Sequence, residues 1–356
     1  MAPPRSLPEL MEELVEEILL RLPPDDPACI VRVSLVCKPW HRLLSGRAFL
    51  RRYRAFHGAP PLVGFLRNRD PLDSCRFPSF IPTASIPSLA HPAAAAADWS
   101  IAWAWGTSQR LVVWYPTTGD WRELPRLAIS DVMSSGAVLC AIDGCDHMDC
   151  NGGPFRVVLV ASSTSGQITW ACSYSSETNA WSTLASLLTT SKFCYVKLMD
   201  RGAVIGDQIY FPMYKKILKY DLGKHSLSVI IDMPDDFSNN VPILMGDGSL
   251  GLAGIRSSSL RLWSRKVNTE GVEQWVQYKS INLQSTVPGI DKPGGGAEVI
   301  GFAEGVNIIL LRNGFGTFVV ELKSERVRKV DDHGDCHTAF PYMQFYTPDL
   351  IPARTC

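Results

Sequence analysis

Residues 115–125 read YPTTGDWRELP, and an apolar run begins just before them at Leu111. Gly119, with its threonine and aspartate neighbours, is typical of a turn, whereas the apolar and aromatic residues on both sides favour strands. The stretch therefore predicts a β-hairpin whose second strand begins at Trp121.

The same arrangement of strand, turn and second strand recurs further along the chain. Successive second strands are marked by Trp121, Trp181, Leu227, Trp275 and Val327. These positions are separated by 60, 46, 48 and 52 residues, which is the length of a four-stranded propeller blade. The repeat predicts five blades.

A sixth blade is expected from residues 62–84, paired with residues 342–346 from the far end of the chain. Such pairing closes a ring and leaves only short, protected sheet edges. Six blades are predicted, with five to seven left open. An all-β sandwich is the alternative architecture.

Before residues 58–61 the apolar period is helical instead. Leu10, Leu14, Ile18 and Leu22 recur at every fourth position, and glutamates fill the complementary positions. This pattern predicts one amphipathic helix that ends at Pro23.

Two further helices are expected in this part of the chain. Asp26 and Pro27 match an N-cap and a first helical position, so they predict the start of a second helix. A third helical stretch carries Trp40 and Leu43 and is closed by Gly46. A helical module of this size buries too little surface to be stable alone, so we expect it to be stabilised by contact with a partner.

The helical part also carries an ordered series of residue types: a leucine-proline pair, a spaced leucine and isoleucine, a second leucine-proline pair, then valine, cysteine, tryptophan and leucine. The series comprises Leu7, Pro8, Leu14, Ile18, Leu22, Pro23, Val36, Cys37, Trp40 and Leu43. In order and spacing it resembles the F-box. The resemblance implies that these ten residues dock to the Skp-type adaptor of a Skp, cullin and F-box ubiquitin ligase, by a helix-in-groove contact.

The second part resembles the F-box-associated propeller domains of plant F-box proteins, especially those of grasses, and more loosely kelch repeats. The sequence pattern of residues 115–125 is the main basis of that resemblance. The chain is thus expected to be an α+β multidomain protein, with an F-box at 4–57 and a target-holding β-propeller at 60–352. The resemblance implies a substrate adaptor that performs no bond chemistry itself.

Composition excludes several other classes of function. Lysine plus arginine equals aspartate plus glutamate at 35 each, so no global field attracts nucleic acid or an anionic membrane. The first ten residues contain no apolar run typical of a secretory signal, and the longest apolar runs elsewhere are far below membrane-spanning length, so we expect neither a signal nor a membrane span. We expect an intracellular protein, cytoplasmic or nuclear, whose ten cysteines are mostly buried thiols.

Three groups of residues are of types found in metal, catalytic or phosphate-binding sites, but their spacing does not fit such a site. Cys140, Cys145, His147 and Cys150 have irregular spacing for zinc, and the adjacent Cys336 and His337 point to opposite faces of a strand. Gly294–Gly296 is followed by no phosphate-loop lysine. We expect no metal, no cofactor and no catalytic residue. Two alternatives stay open. The propeller could be an enzyme or a carbohydrate-binding domain, or the F-box could serve to assemble a complex whose target is not degraded.

Two groups of residues are candidates for holding the target. Trp99, Trp103 and Trp105 alternate along one segment and are expected mainly to pack between blades. Loops at one end of the ring, near His147 or near Asn239 and Asn240, are the expected target surface because loops tolerate variation.

Overall fold

The computed structural model describes residues 11–58, 60–68, 79–82, 100–104, 110–114, 121–127, 132–145, 153–163, 165–189, 196, 202–213, 216–230, 233–234, 240–292, 296–332, 338–343 and 345. Four helices come first and twenty-three strands follow in this part of the chain. The helices are α1 (Glu12–Leu19), α2 (Pro27–Ser34), α3 (Lys38–Leu44) and α4 (Arg47–His57).

The helix boundaries follow local signals in the sequence. The Asp26 side chain accepts a hydrogen bond from the Cys29 N–H at 3.2 Å, which confirms the predicted N-cap of α2. A proline also opens α3. The first helix ends at Leu19 rather than at Pro23, so Leu22 lies in the turn that follows and not on the helical stripe predicted for it.

The strands form six antiparallel sheets. Three of them each contain four strands in sequence order: β11 (Ala203–Ile205), β12 (Gln208–Met213), β13 (Lys216–Asp221) and β14 (Ser226–Ile230); β15 (Val241–Leu244), β16 (Leu250–Arg256), β17 (Ser259–Val267) and β18 (Glu273–Asn282); β19 (Glu298–Ala303), β20 (Ile308–Asn313), β21 (Gly316–Glu321) and β22 (Val327–Asp331). A fourth sheet has five: β6 (Val132–Cys140), β7 (Phe155–Ser163), β8 (Ile168–Ser175), β9 (Ala180–Trp181) and β10 (Ala185–Leu188).

The two remaining sheets are smaller. One is formed by β1 (Leu62–Asn68), β2 (Ser79–Pro82) and β23 (Thr338–Met343), and the other by β3 (Ser100–Ala104), β4 (Arg110–Trp114) and β5 (Trp121–Glu123). Four complete blades, not the predicted six, are therefore present among the described residues. The sequence repeat marks hairpins, and a hairpin does not reveal whether the full four strands surround it.

The hairpins predicted from the repeat are found at the expected positions. Each of the strand pairs β4/β5, β8/β9, β13/β14, β17/β18 and β21/β22 is antiparallel. In two of the turns a tyrosine hydroxyl contacts the side chain of a turn residue five positions later. The Tyr174 hydroxyl donates to Asn179 Oδ1 at 2.8 Å, and the Tyr220 hydroxyl lies 2.6 Å from His225 Nδ1. Both turn residues have positive φ, 53° and 50°, a conformation that asparagine tolerates better than most residues.

The first and last strands of the β-body pair with each other. Gly64 faces Tyr342 and Leu62 faces Met343 in the antiparallel register of β1 and β23, so the predicted pairing of the two ends is confirmed. The Arg67 guanidinium then reaches Asp331 of the next sheet at 2.5 Å, with both side chains largely buried. Closure thus joins backbone pairing to a buried ion pair.

The cysteines differ from expectation. Of the five that the structure describes, only Cys172 is buried, whereas Cys29, Cys37, Cys140 and Cys145 are half-buried. Cys172 lies on a central blade strand, while the others lie in helices, at a helix start or near a strand end. Those positions leave one side of the residue open to solvent.

Candidate docking surface on the helical module

Helix α1 has two apolar faces. Val15 and Leu19 point into the core of the module and are at most 9% exposed. Leu14 and Ile18, four residues apart on another face, are 47% and 56% exposed, and Met11 beside them is 64% exposed. A helix that packs only against its own module needs one apolar stripe, and Leu14 and Ile18 on the second face take no part in the core of the module.

A second exposed apolar patch lies in the turn between α2 and α3. Leu35 is 74% exposed and Val36 is 63% exposed, although the preceding Ser34 is buried. The Val36 N–H donates to the Val33 carbonyl at 3.2 Å, which holds the turn in a defined conformation while its apolar side chains face outward. We refer to these two exposed patches, Met11, Leu14 and Ile18 on α1 and Leu35 and Val36 in the turn, together as the open apolar surface.

The ten residues predicted to dock divide into three groups. Leu14, Ile18, Pro23 and Val36 are exposed; Leu22, Cys37, Trp40 and Leu43 are half-buried; Leu7 and Pro8 lie outside the described residues. Leu22, Trp40 and Leu43 pack against the module's own core.

Three exposed apolar residues were missed by sequence reasoning. Met11 and Leu35 belong to the open apolar surface, and Phe56 on α4 is 55% exposed. Leu35 stands directly beside the predicted Val36, so its apolar character was a usable signal. Phe56 lies in an arginine-rich helix, where nothing in the pattern separates an exposed phenylalanine from a buried one.

Charged residues hold α4 against α1. Arg52 contacts Glu16 at 2.5 Å and Glu17 at 3.0 Å, and Arg21 contacts Glu17 at 3.1 Å. Exposed pairs of this kind contribute little stability individually. The two Arg52 contacts show that Glu16 and Glu17 of α1 face α4, while Leu14 and Ile18 are exposed.

The core beneath this surface is organised around Tyr53 of α4. Its ring is 2% exposed, and its hydroxyl donates to the Leu22 carbonyl at 2.7 Å. His57 Nε2 donates to the Leu20 carbonyl at 2.9 Å. Burial raises the pKa of the Tyr53 hydroxyl above its ordinary value, so the group stays a neutral donor.

The other clusters singled out in the sequence form no site in the described part of the chain. Cys140 and Cys145 are half-buried, and no group of three metal-ligating side chains occurs among the described residues. His147, Cys150, Cys336, His337, Asn239 and the side chains of Trp99, Trp103 and Trp105 lie outside those residues, as do Gly294 and Gly295. The expected absence of a metal site stays a prediction.

Asn240 differs from the expected target loop. Its side chain is 6% exposed, and neither amide atom has a hydrogen-bond partner. It precedes Val241, which lines a cavity between the inner strands β11, β15, β19 and β23 together with Phe302, Glu304 and Phe340. Asn240 is therefore buried and is not a surface residue.

Helices with an open apolar surface, joined to a ring of β-sheets, define the class of F-box proteins with a β-propeller. Residues 7–52 match the F-box domain, and residues 125–350 match the family described as F-box protein AT5G49610-like, beta-propeller. The second match covers more than half of the chain, so the chain belongs to that family. The alternative of an all-β sandwich is wrong.

Comparison with solved structures gives distant likenesses. A protein from Lactobacillus plantarum has a TM-score of 0.43 at 10% identity, covering 80% of this chain and 100% of its own. An extracellular domain from B. thetaiotaomicron has a TM-score of 0.28 at 11% identity, covering 50% of this chain and 21% of its own. The chain thus spans about a fifth of that second protein. No curated protein matches the sequence.

None of the described helices combines the length and the apolar character that crossing a membrane requires.

Proposed function

We propose that this protein is the substrate-recognition adaptor of a Skp, cullin and F-box ubiquitin ligase. The observation that carries the proposal is the open apolar surface, since Leu14, Ile18, Leu35 and Val36 are all more than 45% exposed above a closed core. F-box domains typically bind a Skp-type adaptor and thereby a cullin. An apolar face on short helices fits the groove of such a partner.

The β-propeller is proposed to hold the target. Binding both a target and the ligase raises the effective concentration of the target beside the ubiquitin-transfer machinery. In this role the chain at 4–57 provides the ligase contact and the chain at 60–352 provides the target contact, with no chemistry of its own. The proposed location is intracellular.

The proposal is tested by direct binding of the purified full chain to a purified Skp-type adaptor. Leu14→Asp and Val36→Asp each place a charge on the open apolar surface and are expected to weaken binding at least about 10-fold, or about 1.4 kcal/mol. Leu188→Asp is the matched control, because Leu188 is 77% exposed on a blade, and it should bind like wild type. Trp40→Ala, Leu7→Ala and Pro8→Ala extend the series.

Two outcomes would contradict the proposal: absence of binding by the wild-type chain, or equal weakening by Leu188→Asp. Far-UV circular dichroism of each variant shows whether weaker binding comes from the changed surface or from unfolding of the variant.

The alternatives are separated by different readouts. Binding to a glycan array, or turnover of a substrate by the full chain, would favour a carbohydrate-binding or enzymatic propeller. Target levels that do not rise after proteasome inhibition would favour F-box assembly without degradation.

A further inference from the structure

The core of the helical module contains a residue that follows the last described strand, β23. Phe345 is 6% exposed and belongs to the apolar cluster formed by Val15, Leu19, Phe49 and Tyr53 with their neighbours. Its ring meets the Tyr53 ring edge to face, with centroids 5.8 Å apart and planes at 79°. This geometry is favourable for an aromatic pair. The helices therefore do not complete their core alone.

Both connections to the helices leave the β-body at the same place. Leu62 opens β1, Met343 closes β23, and these two residues face each other in the antiparallel register. The chain before Leu62 and the chain after Met343 consequently emerge side by side. The first reaches α4 through residues 58–61, which span at most about 14 Å, and the second reaches the Tyr53 ring within two residues.

The strand that delivers Phe345 is itself firmly held. β23 pairs with β1 along six positions, and its Ala339 packs with Phe65, Ile300 and Leu310 in one cluster. Gly301 of β19 approaches so closely that a side-chain carbon there would lie 2.3 Å from the Ala339 carbonyl oxygen. Phe345 thus extends from the closed part of the ring and not from a free tail.

We infer that Phe345 is a latch that fixes the orientation of the F-box relative to the β-propeller. A single linker at 58–61 would leave the helices free to swing, since one short connection restricts distance more than direction. A second attachment through Phe345 removes that freedom. The physical inference is independent of partner binding, but its importance for ubiquitin transfer rests on the proposed function, because it sets where a held target lies relative to the ligase.

The test measures the distance distribution between two labels in the full chain. Labels are introduced through encoded amino acids at the exposed positions Ala48 on α4 and Lys224 on a blade turn. Wild type is expected to give one narrow distribution, and Phe345→Ala a distribution at least twice as wide. Phe315→Ala is the matched control, because Phe315 is 44% exposed on another blade, and it should keep the wild-type width.

Phe345→Leu is the second variant, for the case in which Phe345→Ala does not fold. It keeps apolar volume but lacks the ring edge that meets Tyr53, so an intermediate width is expected. A wild-type width in Phe345→Leu, or in a folded Phe345→Ala, would overturn the inference.

Adaptor binding by the same variants distinguishes this inference from the proposed function. Phe345 is not part of the open apolar surface, so Phe345→Ala should bind the Skp-type adaptor within twofold of wild type. Failure of wild type to bind would refute the proposed function and leave the distance result intact. A Phe345→Ala variant that broadens the distribution and keeps binding is the combined expected result.

Discussion

The helical module and the β-sheets treat apolar side chains differently. Residues 11–57 hold six of the fifteen exposed large apolar side chains found in the described part of the chain, although they form a small share of it. In the sheets, central strands such as β16 and β20 are mostly buried, with five of seven and four of six residues buried. The other nine exposed apolar side chains are spread over the much longer β-body, so the density of such side chains is highest in the helices. Exposed apolar side chains that are concentrated in one region are typical of a contact site for another molecule.

The sharpest test of this difference lies within one helix. Leu19→Ala removes a side chain that is 2% exposed and should lower the free energy of unfolding by about 3 kcal/mol, because it leaves a cavity. Ile18→Ala, on the open apolar surface, should change it by less than about 0.5 kcal/mol. Urea unfolding followed by circular dichroism measures both. Equal losses would show that Ile18 supports the fold.

Ring closure is tested by Gly301→Ala. The added carbon would lie 2.3 Å from the backbone oxygen of Ala339, so β19 and β23 must separate, and we expect a loss of about 2 kcal/mol in thermal unfolding. Gly246→Ala is the control, since nothing lies within 4 Å of its added carbon. A Gly301→Ala variant as stable as Gly246→Ala would mean that closure is loose.

A smaller effect is expected at one blade turn. Asn179→Ala removes the hydrogen bond from Tyr174 and places alanine at a φ of 53°, which together should cost about 1.5 kcal/mol. Asn179→Gly keeps the backbone conformation accessible and should cost about 0.5 kcal/mol less than that. Chemical denaturation of the pair separates backbone strain from the hydrogen bond. Identical values would assign the whole cost to the hydrogen bond.

The smallest change concerns thiol reactivity rather than stability. Burial raises the pKa of Cys172 from its ordinary 9.0 to about 12, so the folded blade should protect this thiol from iodoacetamide at pH 8, while half-buried Cys29 and Cys37 react. Mass spectrometry of labelled peptides checks this.

The raised pKa of Cys172 also implies a contribution to the free energy of unfolding that is complete below pH 9 and lost as pH rises toward 12. Rapid labelling of Cys172 in folded protein would contradict both points.

Much of the architecture was predictable because its signals are local. The order of helices, the N-cap at Asp26 and the hairpins around Trp121 and Trp181 all follow from residue types within a few positions of one another. Pairing of the first and last strands was also predicted, because a ring of blades must close.

Other features depend on contacts between distant residues. The sequence showed that α1 is apolar at Leu14 and Ile18, but it could not show that Val15 and Leu19 form the buried face, since both stripes are apolar. The contact between Phe345 and Tyr53 joins residues with no shared local pattern. Blade completeness likewise depends on which strands pair, and a repeat spacing does not contain that information.

The contact between Tyr53 and Phe345 also sets an order of events during synthesis. About 290 residues separate the two rings, and at about 5–20 residues per second a ribosome needs roughly 15 to 60 s to add them. The helices emerge first, yet their core is completed only by an aromatic ring that is added about 290 residues later. A chain that stops before residue 338 lacks both β23 and Phe345. A truncated product should therefore neither close the ring of sheets nor complete the core of its helices.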